Sequence, residues 1–419
     1  MKPLQHVTIL DLSRVLACPF ASMILAELGA TVIKIEEPTR GDETRSFEPF
    51  VEKNGASESA YYFACNRGKQ SVTVNLRSAE GQQIIRDLAR GADVFLENFP
   101  VGTLARYGLD YPKIFPLNER IVYVSCTGFG QSGPFAHRKG YDTIFQAMGG
   151  IMSLTGERDG APVKPGLPFA DLTSGLWVAI AILVGLQGRA GPISGLPEIG
   201  SSNAQVGNSR LASNHGCHID FSMLDGQISL LTLAAARYFA LGEVPPRLGT
   251  EHPGRVPSAS FLCADGGYLH ITASDQHWLP LCHALGLADW GSETELQSNG
   301  GRLRRRNEVM AKLTAAFAAR RRDDIAAALD KAGVPQGPIR AVDEILTDAH
   351  VAARRLVEKF PHPTVGEFPA LGVPLKLDGW DDPAIQRPPL LGEHTESVLV
   401  ERLGLTRERI AELKEAKAI

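Results

Sequence analysis

The 419-residue sequence predicts an α/β fold, with a large doubly wound parallel-sheet domain and a smaller α+β domain. Short apolar runs of strand length alternate with helical patterns from the N-terminus to Ser125. Polar or glycine-bearing segments follow these runs, at the carboxyl ends of strands, where open α/β sheets bind their ligands. Together the two observations predict a Rossmann-like arrangement with helices on both faces of the sheet.

The predicted elements follow one another in βαβ order. Strands are expected over residues 7–12, 31–35, 71–76, 93–96 and 121–125, and helices over residues 20–28 and 81–90. After a helical run over 223–241, strands around 260–263 and 268–272 meet at Asp265-Gly266-Gly267, where glycine suits a tight hairpin. Helical patterns then continue to about residue 332.

The chain divides at a stretch rich in Gly, Ser, Asn and Pro. This stretch covers residues 188–216, has little apolar periodicity and predicts a surface loop. It separates a large domain over residues 1–215 from a small α+β domain over residues 223–332. Within the first domain, the run 175–186 is strongly apolar but shorter than the roughly 20 residues that cross a bilayer, and it predicts a buried helix.

Composition excludes several classes of function. A formal net charge of −4 gives no field that favours nucleic acid, and the basic clusters 302–306 and 320–322 are predicted to be solvated faces. Six scattered cysteines without C-x-x-C spacing predict reduced thiols in the cytoplasm. His215 and His218 flank Cys217 without a further ligand cluster, so no metal site is predicted. The N-terminus has no apolar segment of signal-peptide type, and no membrane association is expected.

One carboxylate is prominent among the polar segments. Asp171 follows a turn at Pro165-Gly166 and opens a strongly apolar helical run. Two interpretations are open: a helix N-cap, because Asp accepts backbone N–H bonds there, or a catalytic nucleophile. The other polar segments of the chain favour the nucleophile.

Six segments accompany Asp171 along the chain. They are Arg14–Phe20, Gly41–Arg45, Asn66–Lys69, Glu97–Phe99 with Arg106, Thr127–Pro134 and Gly333–Ile339. In this order, the sequence from about residue 4 to about residue 400 resembles the family III CoA-transferases, which include formyl-CoA transferase, carnitine CoA-transferase and the α-methylacyl-CoA racemases. The N-terminal third and Gly249–His252 are most similar to the dicarboxylate type that uses succinyl-CoA and glutarate. The resemblance implies that residues 339–419 return to the large domain and that two chains form an interlocked homodimer.

The resemblance also assigns roles to individual residues. It implies that Asp171 attacks the donor acyl-CoA to give an aspartyl anhydride and then an enzyme–CoA thioester; an unperturbed pKa of about 3.9 would leave Asp171 ionised without a partner base. Backbone N–H groups of Leu16 and Ala17 are expected to stabilise the oxyanion. CoA is a substrate and no cofactor is permanently bound. The matching CoA-binding positions are Val74, Asn75, Leu76, Arg77, Asn98, Phe99, Pro100, Arg106, Lys139, Gly140, Tyr141 and Asp142. Glu37 stands where formyl-CoA transferase has an arginine, and Arg40, three residues later, is its expected substitute.

Three functions follow from these residues. The first is CoA transfer, with succinyl-CoA as the expected donor and a C4 to C6 dicarboxylate such as glutarate as the acceptor, ahead of formate, oxalate or carnitine-like acids. The second is an α-methylacyl-CoA racemase, but racemases carry a histidine in the segment where this chain has Tyr141. The third is a non-catalytic acyl-CoA-binding protein, which would not need Asp171. The G-x-G-x-x-G motif at Gly128–Gly133 is not followed by a helical pattern and does not predict NAD binding.

Overall fold

A computed structural model describes residues 2–53, 55–189, 215–379 and 385–419, so the predicted loop at 188–216 lies almost wholly outside the described residues. The strands are β1 (Thr8–Asp11), β2 (Thr31–Glu36), β3 (Phe50–Lys53), β4 (Ala56–Ser59), β5 (Gln70–Thr73), β6 (Val94–Glu97), β7 (Val122–Thr127), β8 (Cys217–Ser222), β9 (Ser258–Leu262), β10 (Tyr268–Thr272), β11 (Gln336–Pro338), β12 (Val357–His362) and β13 (Gly366–Leu371).

The helices of the first half are α1 (Ala17–Glu27), α2 (Ala60–Cys65), α3 (Ala79–Arg90), α4 (Thr103–Arg106), α5 (Tyr111–Ile114), α6 (Asp142–Met148), α7 (Ile151–Leu154) and α8 (Phe169–Gly188). Those of the second half are α9 (Met223–Ser229), α10 (Thr232–Leu241), α11 (Asp275–Ala284), α12 (Ala288–Gly291), α13 (Asn299–Arg304), α14 (Arg306–Ala318), α15 (Arg322–Lys331), α16 (Val342–Leu346), α17 (Ala349–Ala353), α18 (Thr395–Leu403) and α19 (Arg407–Glu415). The predicted run over 223–241 is two helices, α9 and α10, with a break between them.

The main sheet is parallel throughout, which confirms the predicted fold class. Its six strands lie in the order β5-β2-β1-β6-β7-β8. Because strand side chains alternate between faces, Ile9 and Leu10 of β1 enter different cores. Ile9 packs with α1 and α8 on one face, and Leu10 packs with α3, α18 and α19 on the other. Both faces are therefore covered by helices, as a doubly wound sheet requires.

The chain forms two compact units. The first comprises residues 1–151, 165–232 and 352–419, and the second comprises residues 152–164 and 233–351. The first unit is thus discontinuous in sequence and contains the main sheet. Helix α9, which the sequence placed with the small domain from residue 223, groups with the first unit because it packs on α8.

The second unit is built around a small antiparallel sheet. Strands β9 and β10 form the predicted hairpin, with Gly266 at φ 80°, and β11 pairs with the other edge of β10. The prediction that the basic cluster 302–306 is solvated is wrong for Arg302, because its side chain is fully buried. Its guanidinium donates to the backbone oxygens of Val256 and Leu296 and pairs with Asp275 at 2.6 Å. The buried charge is therefore stabilised by several hydrogen bonds.

Helix α8 has one buried side and one exposed side, both apolar. Val178 and Ile182 are fully buried, so the predicted burial holds for one side only. The opposite side is 38% to 61% exposed and consists of Leu176, Trp177, Ile180, Leu183 and Val184. Of the helices in the described ranges, α8 alone is long and apolar enough to cross a membrane by length and composition, although it packs on α1, α6 and α9. Exposed apolar surfaces are frequently sites of contact with other molecules.

Candidate active site

The loop after β1 carries a strained residue. Val15 has φ 70°, a left-handed conformation that a β-branched residue adopts at a cost of about 1–3 kcal/mol. Upstream, the carboxylate of Asp11 accepts hydrogen bonds from the backbone N–H and hydroxyl of Ser13. Such strain persists where the surroundings fix the backbone, and it is frequent at active sites.

The strained turn leads directly into helix α1. The sequence pattern predicted a start at residue 20, but the helix begins at Ala17 with Leu16 as its N-cap residue, and no side chain caps it. Within the described part of the chain, no acceptor is found for the N–H groups of Leu16 and Ala17. These donors, together with the positive end of the helix dipole, suit a negative charge on a ligand.

Asp171 lies in the first turn of α8, at its third residue. The N-cap position belongs to Pro168, so Asp171 is not the N-cap residue of this helix. Gly175, four residues later, lies on the same face of the helix as Asp171. A Cβ on Gly175 would be 2.6 Å from the backbone oxygen of Ala17, so the two backbones are in close contact. The Asp171 side chain therefore lies about one helical turn from the contact with α1.

The surroundings of Asp171 change its titration. Burial, followed by the nearby Asp142 carboxylate, raises the pKa of Asp171 to about 7. The expectation of a carboxylate with an unperturbed pKa was therefore wrong for the free protein. Asp142 accepts a hydrogen bond from the backbone N–H of Asp171 at 3.0 Å, and its other oxygen accepts one from Gln146. Burial and then the Asp171 charge raise the pKa of Tyr61 to about 12.

A cavity of about 1010 Å³ lies at the carboxyl ends of β1 and β2. Six of the predicted CoA-binding residues line it: Arg40, Val74, Asn75, Leu76, Arg77 and Phe99. Arg40 and Arg77 are exposed, and neither pairs with a carboxylate among the residues that the structure describes. The backbone and side chain of Asn75 donate to the carbonyl oxygens of Ala418 and Lys417, which fixes this wall of the cavity. The cavity thus combines free cations with an ordered backbone.

The remaining predicted residues lie elsewhere. The Asn98 side chain is bonded to the backbone of Arg14, Pro100 lines a neighbouring cavity of about 250 Å³, and Arg106 donates to Thr103. The segment Lys139–Asp142 does not line the large cavity and approaches Asp171 through Asp142. Tyr141 is 82% exposed. Six of the predicted positions therefore line the large cavity, Asp142 lies beside Asp171, and Asn98, Pro100 and Arg106 belong to neither group.

Several contributors received no individual role from the sequence, although Arg14 and Asp42 lie in segments that it singled out. The Arg14 guanidinium lies over the Phe99 ring, 4.8 Å from its centre, and pairs with Glu43 on the cavity wall. Lys34 and Asp42, both fully buried, form an ion pair at 2.8 Å beneath the strained loop. The sequence does contain a signal that could have identified Lys34: it lies inside an otherwise apolar strand, where a buried charge needs a specific partner.

The histidines and cysteines set aside above have other contacts. His218 is bonded to the Ser125 hydroxyl and stacks on Tyr111, and His215 pairs with Glu119 at 3.5 Å. In the described ranges, no group of three or more His, Cys, Asp or Glu residues is arranged to hold a metal ion. All six cysteines are free thiols. After Gly133 the next helix begins only at Asp142, so the G-x-G-x-x-G motif does not open a helix.

Comparison with known proteins identifies the family. A family model described as CoA-transferase family III matches residues 4–195 and 204–395. The chain belongs to CoA-transferase family III. This CoA-transferase is 38% identical over 415 residues to the succinyl-CoA:glutarate CoA-transferase of Mus musculus, with coverage of 99% of this chain and 89% of that protein.

Two further relatives agree with the family assignment. The succinate–glutarate CoA-transferase of Agrobacterium fabrum is 35% identical to this family III member over 402 residues, 95% of each chain. The crystal structure of a CAIB/BAIF family protein from Brucella suis is similar with a TM-score of 0.81 and 36% identity, and covers 96% of this chain and 99% of that one. The chain is therefore a family III CoA-transferase that uses acyl-CoA as substrate and has the predicted α/β fold.

Proposed function

We propose that this CoA-transferase moves CoA from succinyl-CoA to a C4 to C6 dicarboxylate such as glutarate, with Asp171 as the covalent nucleophile. One observation carries the proposal. The helix that bears Asp171 contacts the backbone of Ala17 at Gly175, where N–H groups of the α1 N-terminus have no acceptor among the described residues. This close contact between the two helices supports a site that combines a nucleophilic carboxylate with oxyanion donors.

The proposed reaction proceeds through two covalent forms of Asp171. A carboxylate oxygen of Asp171 attacks the thioester carbon of the donor, the C–S bond breaks, and CoA leaves as the thiolate. The thiolate then attacks the aspartyl carbon of the anhydride and releases the donor acid as its carboxylate. An aspartyl–CoA thioester remains, and the acceptor carboxylate reverses the two steps. No proton is transferred to or from the reacting atoms, so no general base is required.

The raised pKa of Asp171 belongs to the free enzyme and gives this scheme a pH dependence. Asp171 must be ionised to attack, and its pKa near 7 leaves part of the population protonated at neutral pH. Each tetrahedral intermediate carries a negative charge on the former carbonyl oxygen. The N–H groups of Leu16 and Ala17 are the proposed donors to that oxygen.

The large cavity is the proposed site for the nucleotide part of CoA. Arg40 and Arg77 would pair with phosphate groups, because guanidinium forms charge-assisted bonds to phosphate oxygens. The backbone at Val74–Leu76 would bind adenine through groups other than the N–H groups of Val74 and Asn75, which donate to the oxygens of Glu36 and Ala418. Asn98, Pro100, Arg106 and Lys139–Asp142 are retained as proposed contributors from the resemblance, either directly or through the loops they occupy.

The acceptor class is proposed from the named relatives and tested by chemistry. The second carboxylate of glutarate must be paired inside a site that excludes water, because an unpaired buried charge costs several kcal/mol. Butyrate has the same reacting carboxylate without that charge. With succinyl-CoA as donor, kcat/KM is expected to be much higher for glutarate than for butyrate, and equal values would reject the dicarboxylate class while leaving CoA transfer intact.

The proposed assembly is an interlocked homodimer in the cytoplasm. The exposed apolar side of α8 supports a partner subunit, because such a surface is costly to leave in water. Six free thiols support a reducing compartment.

Racemisation remains the alternative on this scaffold, and incubating a chiral 2-methylacyl-CoA in deuterated water tests it. No α-exchange at rates near those of CoA transfer is expected, because Tyr141 replaces the histidine base.

Mutation of Asp171 tests the nucleophile directly. Asp171→Ala is expected to abolish transfer and the covalent enzyme–CoA adduct in intact-protein mass spectrometry, while CoA still binds. The matched control is Asp225→Ala, since Asp225 is likewise the third residue of its helix but is exposed. Turnover above about one hundredth of the wild-type rate in Asp171→Ala would contradict covalent catalysis by this residue. Full loss in both variants would indicate a folding defect.

A further inference from the structure

The turn at Val15 is fixed by side chains from other segments of the first unit, among them Asn98 and Lys34. Asn98, directly after β6, binds both backbone groups of Arg14: its Oδ1 accepts from the Arg14 N–H at 2.9 Å, and its Nδ2 donates to the Arg14 oxygen at 2.8 Å. The Asn98 amide thus binds the residue before Val15 as a neighbouring strand would bind it. The oxygen and the nitrogen of the Asn98 amide are therefore both bonded to the backbone of the same residue, Arg14.

A second contact fixes the preceding residue. Lys34 of β2 donates from Nζ to the backbone oxygen of Ser13 at 2.9 Å and pairs with Asp42, and both charged side chains are fully buried. Asp42 also accepts a long hydrogen bond, 3.4 Å, from the N–H of Val15. The carbonyl oxygens of two consecutive residues, Ser13 and Arg14, are therefore bound by side chains, and the strained φ of Val15 follows immediately.

We propose that Asn98 is a positioning residue, which orients the Leu16 and Ala17 N–H groups towards the oxyanion and does not bind CoA through its side chain. The proposal rests on the proposed function, because it concerns the same oxyanion site. It reassigns Asn98 from the set of CoA-binding residues that the resemblance implied. The neighbouring Phe99 stays on the cavity wall, where its own N–H donates to the Glu97 carboxylate.

The two roles for Asn98 predict changes in different kinetic constants. A CoA ligand contributes to binding of acyl-CoA, so its loss raises KM and weakens CoA binding. A positioning residue acts only when charge develops on the carbonyl oxygen, so its loss lowers kcat. Removal of one oxyanion donor typically costs about 100- to 1000-fold in kcat, and misorientation of both donors by a freed turn is expected to cost about 10- to 100-fold.

The test compares Asn98→Ala and Asn98→Asp with Asn118→Ala. Asn118 is a matched control from the same unit, because it also accepts a backbone N–H and donates to backbone oxygens, those of Ala89 and Ala92, away from the site. Steady-state kinetics with succinyl-CoA, CoA affinity by calorimetry and thermal stability are measured for each. Asn98→Asp keeps the size of the side chain and the oxygen that accepts from the Arg14 N–H, but it removes the Nδ2 donor to the Arg14 oxygen. This variant therefore measures the effect of losing that donor if the alanine variant does not fold.

The expected result is a fall in kcat of about 10- to 100-fold in both Asn98 variants, with KM and CoA affinity within about twofold of wild type. Asn118→Ala should lose stability with kcat unchanged. A raised KM and weaker CoA binding at normal kcat would identify Asn98 as a CoA ligand and overturn the proposal, as would unchanged kinetics. Failure of the proposed function is recognised separately, by transfer activity in Asp171→Ala.

Discussion

Gly175 contacts Ala17 so closely that its hydrogen cannot be replaced by a methyl group without movement, since the added carbon would lie 2.6 Å from the Ala17 oxygen. The neighbour is backbone, which cannot rotate away as a side chain can. Helix α1 and helix α8 thus meet at a glycine one turn after the proposed nucleophile. The distance between Asp171 and the α1 N-terminus depends on this contact.

Gly175→Ala is expected to separate the two helices. Overpacking of this kind costs about 1–3 kcal/mol, of which the better helix propensity of alanine recovers up to about 1 kcal/mol. Turnover should fall more than stability does, because a shift of about 1 Å at a reacting group can cost 100-fold in rate. Kinetics and thermal unfolding measure the two effects. Gly300→Ala is the control, since its Cβ would meet no atom nearer than 3.9 Å on helix α13, and full activity of Gly175→Ala would reject the spacing argument.

The kcat/KM of acyl-CoA is expected to rise with pH through about 7 and then reach a plateau. The pKa of Asp171 is raised to about 7 by burial and by Asp142, and only the ionised carboxylate attacks. Asp142→Asn keeps an acceptor for the Asp171 N–H and removes the neighbouring charge, so the midpoint should move to lower pH. Burial remains, so the midpoint should stay above the ordinary value for Asp. A profile identical to that of wild type would show that Asp142 does not influence the nucleophile; Asp225→Asn is the control.

Asp171 should also destabilise the folded protein above neutral pH. A carboxyl group whose pKa is raised on folding favours the folded state fully below its unfolded value, near 3.8, and loses that contribution as pH rises through about 7. Asp171→Asn is therefore expected to exceed wild type in unfolding free energy by about 1–3 kcal/mol at pH 8 and to match it at pH 4. Urea unfolding at the two pH values measures the difference. An equal gain at both values would point to packing as the cause.

Loss of either exposed arginine of the large cavity should weaken acyl-CoA binding. Arg40→Gln and Arg77→Gln are each expected to raise KM for succinyl-CoA about tenfold with little change in kcat, because one charge-assisted contact to phosphate is worth about 1.4 kcal/mol. Arg90→Gln, on the outer surface of α3, is the control, because its partner is Asp87 of the same helix. Esters of dephospho-CoA distinguish an arginine bound to the 3′-phosphate from one bound to the pyrophosphate. An unchanged KM in both variants would place the nucleotide elsewhere.

A charge on the exposed side of α8 should disrupt the proposed homodimer. Ile180 is 48% exposed at the centre of this apolar surface, so Ile180→Glu would bury a carboxylate in the interface. Sedimentation equilibrium is expected to show a dimer for wild type and a monomer for the variant. Val400→Glu is the control, since Val400 is 41% exposed on α18. A wild-type protein that sediments as a monomer would remove the dimer from the proposal.

The sequence was informative where one local pattern dictates the structure. Five of the six strands of the main sheet were predicted within a few residues because buried parallel strands form continuous apolar runs; β8, which follows the polar stretch 188–216, was not predicted. The hairpin at Gly266 was predicted for a similar reason, since few residues other than glycine adopt its positive φ. Asp171 was identified from the sequence by the residues around it and by the other polar segments of the chain. The structure adds that it is the third residue of α8.

The errors concern contacts between residues distant in sequence. No local pattern shows that Arg302 is buried, because its partners, among them Asp275 and the oxygen of Val256, come from other segments. The pKa of Asp171 depends on burial and then on Asp142, 29 residues earlier, and the start of α1 follows the turn at Val15. The exposed side of α8 is as apolar as its buried side, so the sequence alone could not separate them.

The bond between Asn75 and Lys417 spans 342 residues of sequence. A ribosome adds about 5–20 residues per second, so the wall of the large cavity waits about 20 to 70 s for the segment that completes it. The strands that surround Asn75 are made early, and the nascent chain can fold much of the main sheet in that time. The large cavity, which is the proposed nucleotide site, lacks this part of its wall until residues near 418 emerge. A ribosome-bound chain without those residues therefore has no complete cavity in which to bind the nucleotide of CoA.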